Sequence, residues 1–579
     1  MIGRPGFGKT GAVHRRAAAS PRRALTVVIA LTVTLVTLTG CVGIPKSGPV
    51  SQGLPVNEVS GAGNIAYNPE GPEAGASQQN ILRGFVASFT SATGGYAVAK
   101  QFLSSGFANK WDPRASVQVR TGGPKLLAVD ASTIDYSFDT VAIVDKSGAY
   151  SESSLAATLQ YSFVREKNQW RISAAPDGIV LAQPTFERIF TQRPLYFLDS
   201  TNTHLVPDLR WFPSGSTSMT RIVNAVLAGP PDWLKGAAFS RFPDGTGLSD
   251  AGSVVTSDNG VATIDLTKDA SAASARDRQL MKLQLFESLR LVPNVSSVSI
   301  SVEGTPMQID DTVDALQVDN KVDTQALVFR NNRFGFYANG GVSQLPVLSQ
   351  RVSALGAQAA TLSSDQSTVA VLGTGGVSVV RRGEPTPPVD PRPNLIAPSL
   401  DEAGFTWSVP YDSPNAIVAF DPSGGAHPVS APVQSSGSQI VSLEVSREGS
   451  RVSILLSAPS GPRLIVAAIV RDEKQVPVSI GTPILDLSLG DGEAIDATWV
   501  DQTTVATLVT SSQQSRVELY AIGGKRTSLD VLPSAAEIVG GNNGADGLRV
   551  LGDDQSIWVY RGSSWQRSNV TVSFIATQR

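Results

Sequence analysis

The hydrophobic rhythm of the 579-residue chain changes several times, and each change predicts a different kind of structure. An apolar run from Ala24 to Leu38 comes first. Residues 41–78 are rich in Gly, Pro, Ser, Asn and Ala with no apolar period, which predicts a flexible tether. Ile81, Leu82, Phe85, Val86 and Phe89 then recur at helical spacing, and Tyr96, Ala99, Phe102 and Leu103 give a second short helix. Strands follow at Val117 and Val119 and over Thr133 to Asp145. Leu155, Ala157, Leu159, Tyr161 and Phe163 alternate across another, before Trp170-Arg171-Ile172. Helices first and a curved antiparallel sheet after them predict a cone-shaped α+β domain over 79–190.

A second unit is expected over 193–310. Leu195 to Leu198 and Leu205 to Arg210 read as strands. Ser216 or Ser218 can cap a helix whose apolar face is Ile222, Val223, Val226 and Leu227, ended by Gly229-Pro230-Pro231. Gly260 to Leu266 alternates as a strand. A helix is expected from about Ala270 to Leu291 with Leu280, Leu283, Phe286 and Leu289 inward, and Val298, Ile300 and Val302 close the unit. Over 325–579 helical periods vanish. A loose strand–turn–strand motif recurs at Ala359 to Leu372, Val441 to Ile454 and Asp496 to Leu508, and again from Asp553. This predicts a β-propeller of few or degenerate blades, with β-sandwiches as the alternative. The fold class is therefore multidomain, α+β followed by all-β.

The apolar run gains meaning from its flanks. Arg4, Lys9, Arg15, Arg16, Arg22 and Arg23 precede it without an acidic residue, which makes 1–40 a secretory signal peptide. Leu38-Thr39-Gly40-Cys41 reads as a lipobox: the peptide is cut before Cys41, whose thiol takes a diacylglyceryl group and whose new amine takes a palmitoyl chain. The 15-residue run spans roughly 22 Å as a helix, short of the roughly 30 Å hydrocarbon core. Acyl chains supply the anchor instead. The expected location is the extracytoplasmic face of a cell membrane.

Charge and chemistry narrow the function. Residues 1–40 take with them six of the 47 Lys and Arg and none of the 50 Asp and Glu, leaving a formal −9. That excludes nucleic acid as an expected partner. Cys41 is the only cysteine, and His204 and His427 are the only histidines besides His14, so neither thiol chemistry nor a typical zinc site is expected. The two histidines read as surface or turn residues. Gly3 to Thr10 matches a phosphate-loop string, but no strand can precede Gly3. Asn542 to Gly547 lacks the ligand positions of a calcium loop and reads as a turn between strands. No nucleophile elbow or metal-spaced cluster occurs. Neither cofactor, metal nor catalytic residue is expected. Asp135 and Asp139 are the nearest candidates for an acid inside the cone and read as ordinary strand carboxylates.

Several stretches carry resemblances. The first folded unit resembles the ketosteroid-isomerase-like fold. Tyr196-Phe197-Leu198, Leu205-Val206-Pro207 with Arg210, Leu227-Ala228-Gly229-Pro230-Pro231, Pro243-Asp244-Gly245-Thr246 and Gly260 to Leu266 look like the GerMN domain of spore-germination proteins. In this order, with the lipobox before them and the propeller-like region after, the chain resembles the actinobacterial lipoprotein LpqB family. That resemblance implies an accessory of the MtrA–MtrB two-component system, binding the extracytoplasmic part of the sensor kinase MtrB in cell-envelope homeostasis and division. The GerMN and propeller regions are expected to supply the contact, so that deleting 193–307 abolishes kinase binding. Two rivals stand beside it. One is a lipoprotein binding cell-wall glycan on Trp407, Trp558 or Trp565; the other is an enzyme with its site around Asp135.

Overall fold

Ser77 accepts the Asn80 amide at 3.3 Å and starts helix α1 (Gln78–Ala87), whose Ile81, Leu82 and Phe85 are buried. Helix α2 (Ala97–Gln101) follows from Tyr96. Both lie in a computed structural model that describes residues 69–579 except 216, 250–253, 257, 311–315 and 432–436. The signal peptide, the lipobox with Cys41, the phosphate-loop string, Ser216 and most of the tether lie outside the described residues.

Strands β1 (Ser116–Ala128), β2 (Thr133–Asp145), β3 (Tyr150–Glu152), β4 (Ala156–Glu166), β5 (Gln169–Ala174) and β6 (Ile179–Ala182) form one sheet in the order β5-β4-β2-β1-β6, with β3 on β2. Only β1–β6 is parallel. Along β2 every second residue is buried: Ile134, Tyr136, Phe138, Thr140, Ala142 and Val144. Their face meets the helices through an aromatic cluster, with Phe85 and Phe89 at 5.0 and 5.7 Å from Trp111 and Tyr161 at 6.2 Å from Phe85. β1 continues past Gly122-Gly123-Pro124 by slipping register between Thr121 and Lys125, so a turn-like tripeptide becomes a bulge.

Helix α3 (Gln183–Ile189) runs directly into β7 (Phe190–Asp199), which pairs with β8 (Leu205–Pro213) and, at its end, β9 (Ala238–Phe239). Helix α4 (Ser218–Leu227) buries Ile222, Val223 and Val226; Thr217 stands at its cap without a side-chain bond, so Ser218 is its first residue rather than its cap. β10 (Val255–Thr256), β11 (Val261–Leu266), β12 (Ser297–Val302) and β13 (Thr305–Pro306) form a second sheet, in which parallel β11 and β12 are joined across α5 (Ala275–Leu289).

Helix α5 is shorter than the apolar spacing suggests, and a 3₁₀ turn occupies Lys268–Ala272. Its most buried residues also differ: Leu280 and Leu289 face inward as expected, whereas Leu283 and Phe286 are half-exposed. Met281, Leu285, Gln284 and Ser288 are buried instead. The polar pair faces β7, where Ser288 Oγ accepts the Tyr196 amide at 3.0 Å and Gln284 donates to its carbonyl at 3.2 Å. A helix thus satisfies the edge of β7 where no strand among the described residues pairs with it.

Among the described residues, six antiparallel sheets succeed one another over 326–343, 359–390, 399–428, 439–480, 493–528 and 535–571. The first strand of each of the last five lies against that of its neighbour. Phe574–Ile575 crosses back to pair with Ala326–Arg330 of the first sheet, and Thr577–Gln578 then pairs with Ala359–Leu362 of the second. This is a six-bladed propeller closed by its last strand.

Candidate functional site

Three regions of the body meet around Trp211 on β8. Its ring centroid lies 4.9 Å from Phe186 and 5.5 Å from Tyr150, both in the first domain. Its indole N–H donates to the Gly523 carbonyl of the fifth blade at 3.1 Å. Gly523 has φ +86°, and a side chain there would strike the Leu209 carbonyl, so the close approach requires glycine. Beside it Lys525 pairs with Glu187, and the Arg526 amide donates to Glu152 at 2.9 Å. Arg210 is buried against Asp208 at 2.6 Å and donates to the Ser147 carbonyl at 3.0 Å. Burial raises the Asp208 carboxyl, and Arg210 pulls against that rise.

A second seam joins β7 to the fifth blade. The Tyr196 hydroxyl meets Gln502 at 3.4 Å, and the Gln502 side chain donates to the Val318 carbonyl. Its own carbonyl takes the Arg451 guanidinium at 2.7 Å. Arg451 is completely buried, paired with Glu448 at 2.7 Å and set 5.0 Å over the Trp499 ring. Burial works to raise the Glu448 carboxyl; Arg451 and Ser446 outweigh it and hold the group below its ordinary value.

The propeller axis repeats one device. Ser399 of the third blade accepts the Val445 amide of the fourth at 3.0 Å. Glu444 accepts the Trp499 amide of the fifth at 3.1 Å, Asp496 the Ile538 amide of the sixth at 3.0 Å, and Glu537 the Ile575 amide of the closing strand at 2.8 Å. Arg579 is buried against Glu444 at 3.4 Å and donates to Ser399 at 3.0 Å. Burial, with the neighbouring carboxylates adding to it, raises Asp496 to about 7 and Glu537 to about 8. Nothing in the sequence marks these four residues as a set, because they are spread over 139 positions (Ser399 to Glu537).

The residues singled out by sequence fall elsewhere. Asp135 and Asp139 sit on the face of β2 opposite the aromatic core, and Gln160 donates to Asp135 at 3.2 Å, so neither lies on the side of the sheet that the helices cover. Trp407 is fully buried, with its indole N–H on Asp401 at 3.1 Å, which removes it as a sugar platform. Trp558 and Trp565 are half-buried in the sixth blade; Trp565 lies 5.1 Å from Tyr560 and donates to the Asp530 carbonyl at 2.7 Å. His427 pairs with Asp421 at 2.9 Å, and that contact heads the hydrogen bonds that hold Asp421 well below the usual carboxylate range. His204 adjoins Thr203 at 2.9 Å. Asn542 to Gly547 is a turn between the first two strands of the sixth blade, pinned to Val322 through Asn542 at 2.8 Å. Among the described residues no group of three or more His, Cys, Asp or Glu is arranged to hold a metal, and no helix is long and apolar enough to cross a membrane.

Three family models match in the order of the three regions. Residues 71–187 match the lipoprotein LpqB N-terminal domain, 194–308 the sporulation and spore germination domain, and 336–573 the lipoprotein LpqB β-propeller domain. The chain belongs to the lipoprotein LpqB family. Lipoprotein LpqB of Cutibacterium acnes is 30% identical over 286 residues, 49% of this chain and 48% of that protein. In that match the chain spans about half of the relative's length. The Rhodococcus opacus LpqB is 24% identical over 563 residues (88% and 89%), and that of Streptomyces coelicolor 24% over 602 (94% and 97%). Among solved structures, the first GerMN domain of the sporulation protein GerM from Bacillus subtilis is 13% identical, covering 22% of this chain and 96% of that one at a TM-score of 0.17. At that score the likeness carries no weight of its own.

Proposed function

We propose that this LpqB-family protein is a lipid-anchored, extracytoplasmic accessory that binds the outer part of an MtrB-like sensor kinase and modulates its signalling in cell-envelope homeostasis and division. Cys41 is the anchor in this reading, with the diacylglyceryl and palmitoyl chains described above. The tether lets the body search the membrane surface near a second membrane protein, and confinement lets a weak contact suffice.

The observation that carries the contact is the free edge of β1. It pairs with β6 only over Val117–Arg120, whereas it follows β2 to Ala128. From Thr121 onward, no strand among the described residues covers its other edge. Leu127 and Val129, 67% and 52% exposed, stand at the end of that edge. An uncovered edge with apolar side chains is suited to strand addition by a protein partner. Our reading thus puts the contact on the first domain, where the sequence suggested the GerMN and propeller regions. It also replaces the deletion of 193–307 as a test, because that deletion would remove Trp211 from the first domain's core.

Photo-crosslinking from position 127 in intact cells tests the reading. Capture of the kinase's extracytoplasmic domain is expected; capture of cell-wall glycan alone would overturn it. The glycan alternative now rests on Trp558 and Trp565, since Trp407 is enclosed.

A further inference from the structure

We propose that the cleft between the first domain and α4 is a binding site for a small organic phosphate. The cleft has a volume of about 380 Å³, within the range of small-molecule sites. Tyr96, Phe190 and Phe212 supply aromatic wall. Arg114 and Lys146 enter it from the first domain, Arg221 and Asn224 from α4, and Arg210 from β8.

The charges in the cleft are unequal in their obligations. Arg210 is answered by Asp208 and the Ser147 carbonyl. Asp145 also lines the cleft, but its Oδ1 closes its own turn, accepting the Ser147 and Ala149 amides at 2.8 and 3.0 Å. Arg114, Lys146 and Arg221 have no carboxylate partner among the described residues. Arg114 and Arg221 come from separate domains, yet lie close enough for their like charges to interact. Burial depresses the Arg221 guanidinium; the Tyr96 hydroxyl opposes that shift and Arg114 adds to it. Two guanidiniums that no carboxylate pairs with suit a group with several acceptor oxygens, and the aromatic wall suits the organic part it carries.

Tyr96 adds a second sign. It holds φ +64°, a left-handed conformation uncommon for a bulky residue, while only 4% exposed and packed 6.4 Å from Trp111. Such backbone strain gathers where the surroundings fix a side chain for use. The phosphate ester could come from solution or from a lipid headgroup; the chemistry that recognises it is the same.

The test uses the full lipidated chain in phosphatidylcholine nanodiscs, titrated with phenyl phosphate by calorimetry. Saturable one-to-one binding is expected, tighter than for inorganic phosphate or phenol. It should weaken about tenfold or more in R221Q and in R114Q, recover in part in R221K, and stay unchanged in R333Q, an exposed arginine of the first blade. Nanodiscs containing phosphatidylglycerol separate the sources: lowered affinity for phenyl phosphate assigns the site to a headgroup, unchanged affinity to a soluble ester. Absence of saturable binding, or equal affinity in folded R221Q and R114Q with unshifted melting temperatures, overturns the proposal.

Discussion

Glu444 on the first strand of the fourth blade accepts the backbone N–H of Trp499 on the first strand of the fifth at 3.1 Å. The same reach from one blade to the next recurs at Asp496 and Glu537, so carboxyl groups join successive blades and then the closing strand. Two of these groups favour the proton. In the folded chain Asp496 sits at about 7 and Glu537 at about 8, against 3.8 and 4.5 for free side chains. A raised folded value means that the folded state holds the proton more tightly than the unfolded chain. The stability this contributes is complete below about pH 4 and falls as pH rises, disappearing above about pH 8. Melting temperature measured from pH 5 to 9 should therefore decline in the wild type. The decline should be shallower in the double variant D496N/E537Q, and parallel curves would contradict the account.

The buried pair in the seam makes a sharper mutational prediction. Arg451→Met leaves Glu448 buried without its cation, which should cost about 3–5 kcal/mol. Adding Glu448→Leu removes the stranded charge and should recover most of that loss. Chemical denaturation of the two single variants and the double variant measures the coupling directly.

Trp211 belongs to the core of a domain that precedes it in sequence. Trp211→Ala should cost about 3–5 kcal/mol and loosen the contact with Gly523. Hydrogen exchange should rise in α3 and in the 523–526 loop together. A rise confined to β8 would mean that the three regions do not share this residue.

Much of the fold was readable because local rhythm and tertiary burial agree. β2 alternates without a break, and α1 presents Ile81, Leu82 and Phe85 on one side, so period alone locates both. α5 misled because both its sides are buried: Gln284 and Ser288 face a strand edge as polar partners, and their burial contradicts their chemistry. The third blade gave no signal because two of its central strands have only three residues, Thr406–Ser408 and Val418–Phe420. The axial carboxyls were unreadable for a different reason. Glu444 and Glu537 are each the one acid of their strand and Asp496 shares its strand with Glu493, and only the ring closure of distant segments places them beside the next blade's amide.

Closure itself is testable. Phe574–Ile575 completes the first blade and Arg579 enters the axis, so removing 574–579 takes away the strand pairing, the Glu537 hydrogen bond and the Glu444 ion pair together. The truncated chain should lose cooperative unfolding of the propeller, seen as a broadened calorimetric transition. A truncation that melts as sharply as the wild type would show that the ring does not depend on this strand.

The claim beneath the functional reading is that Cys41 carries the lipid that holds this body at the membrane. Mass spectrometry of the protein purified from membranes measures this directly. The account predicts a chain that begins at Cys41 and carries diacylglyceryl and palmitoyl mass on that residue. A mature chain beginning at another position, or an unacylated Cys41, would contradict it.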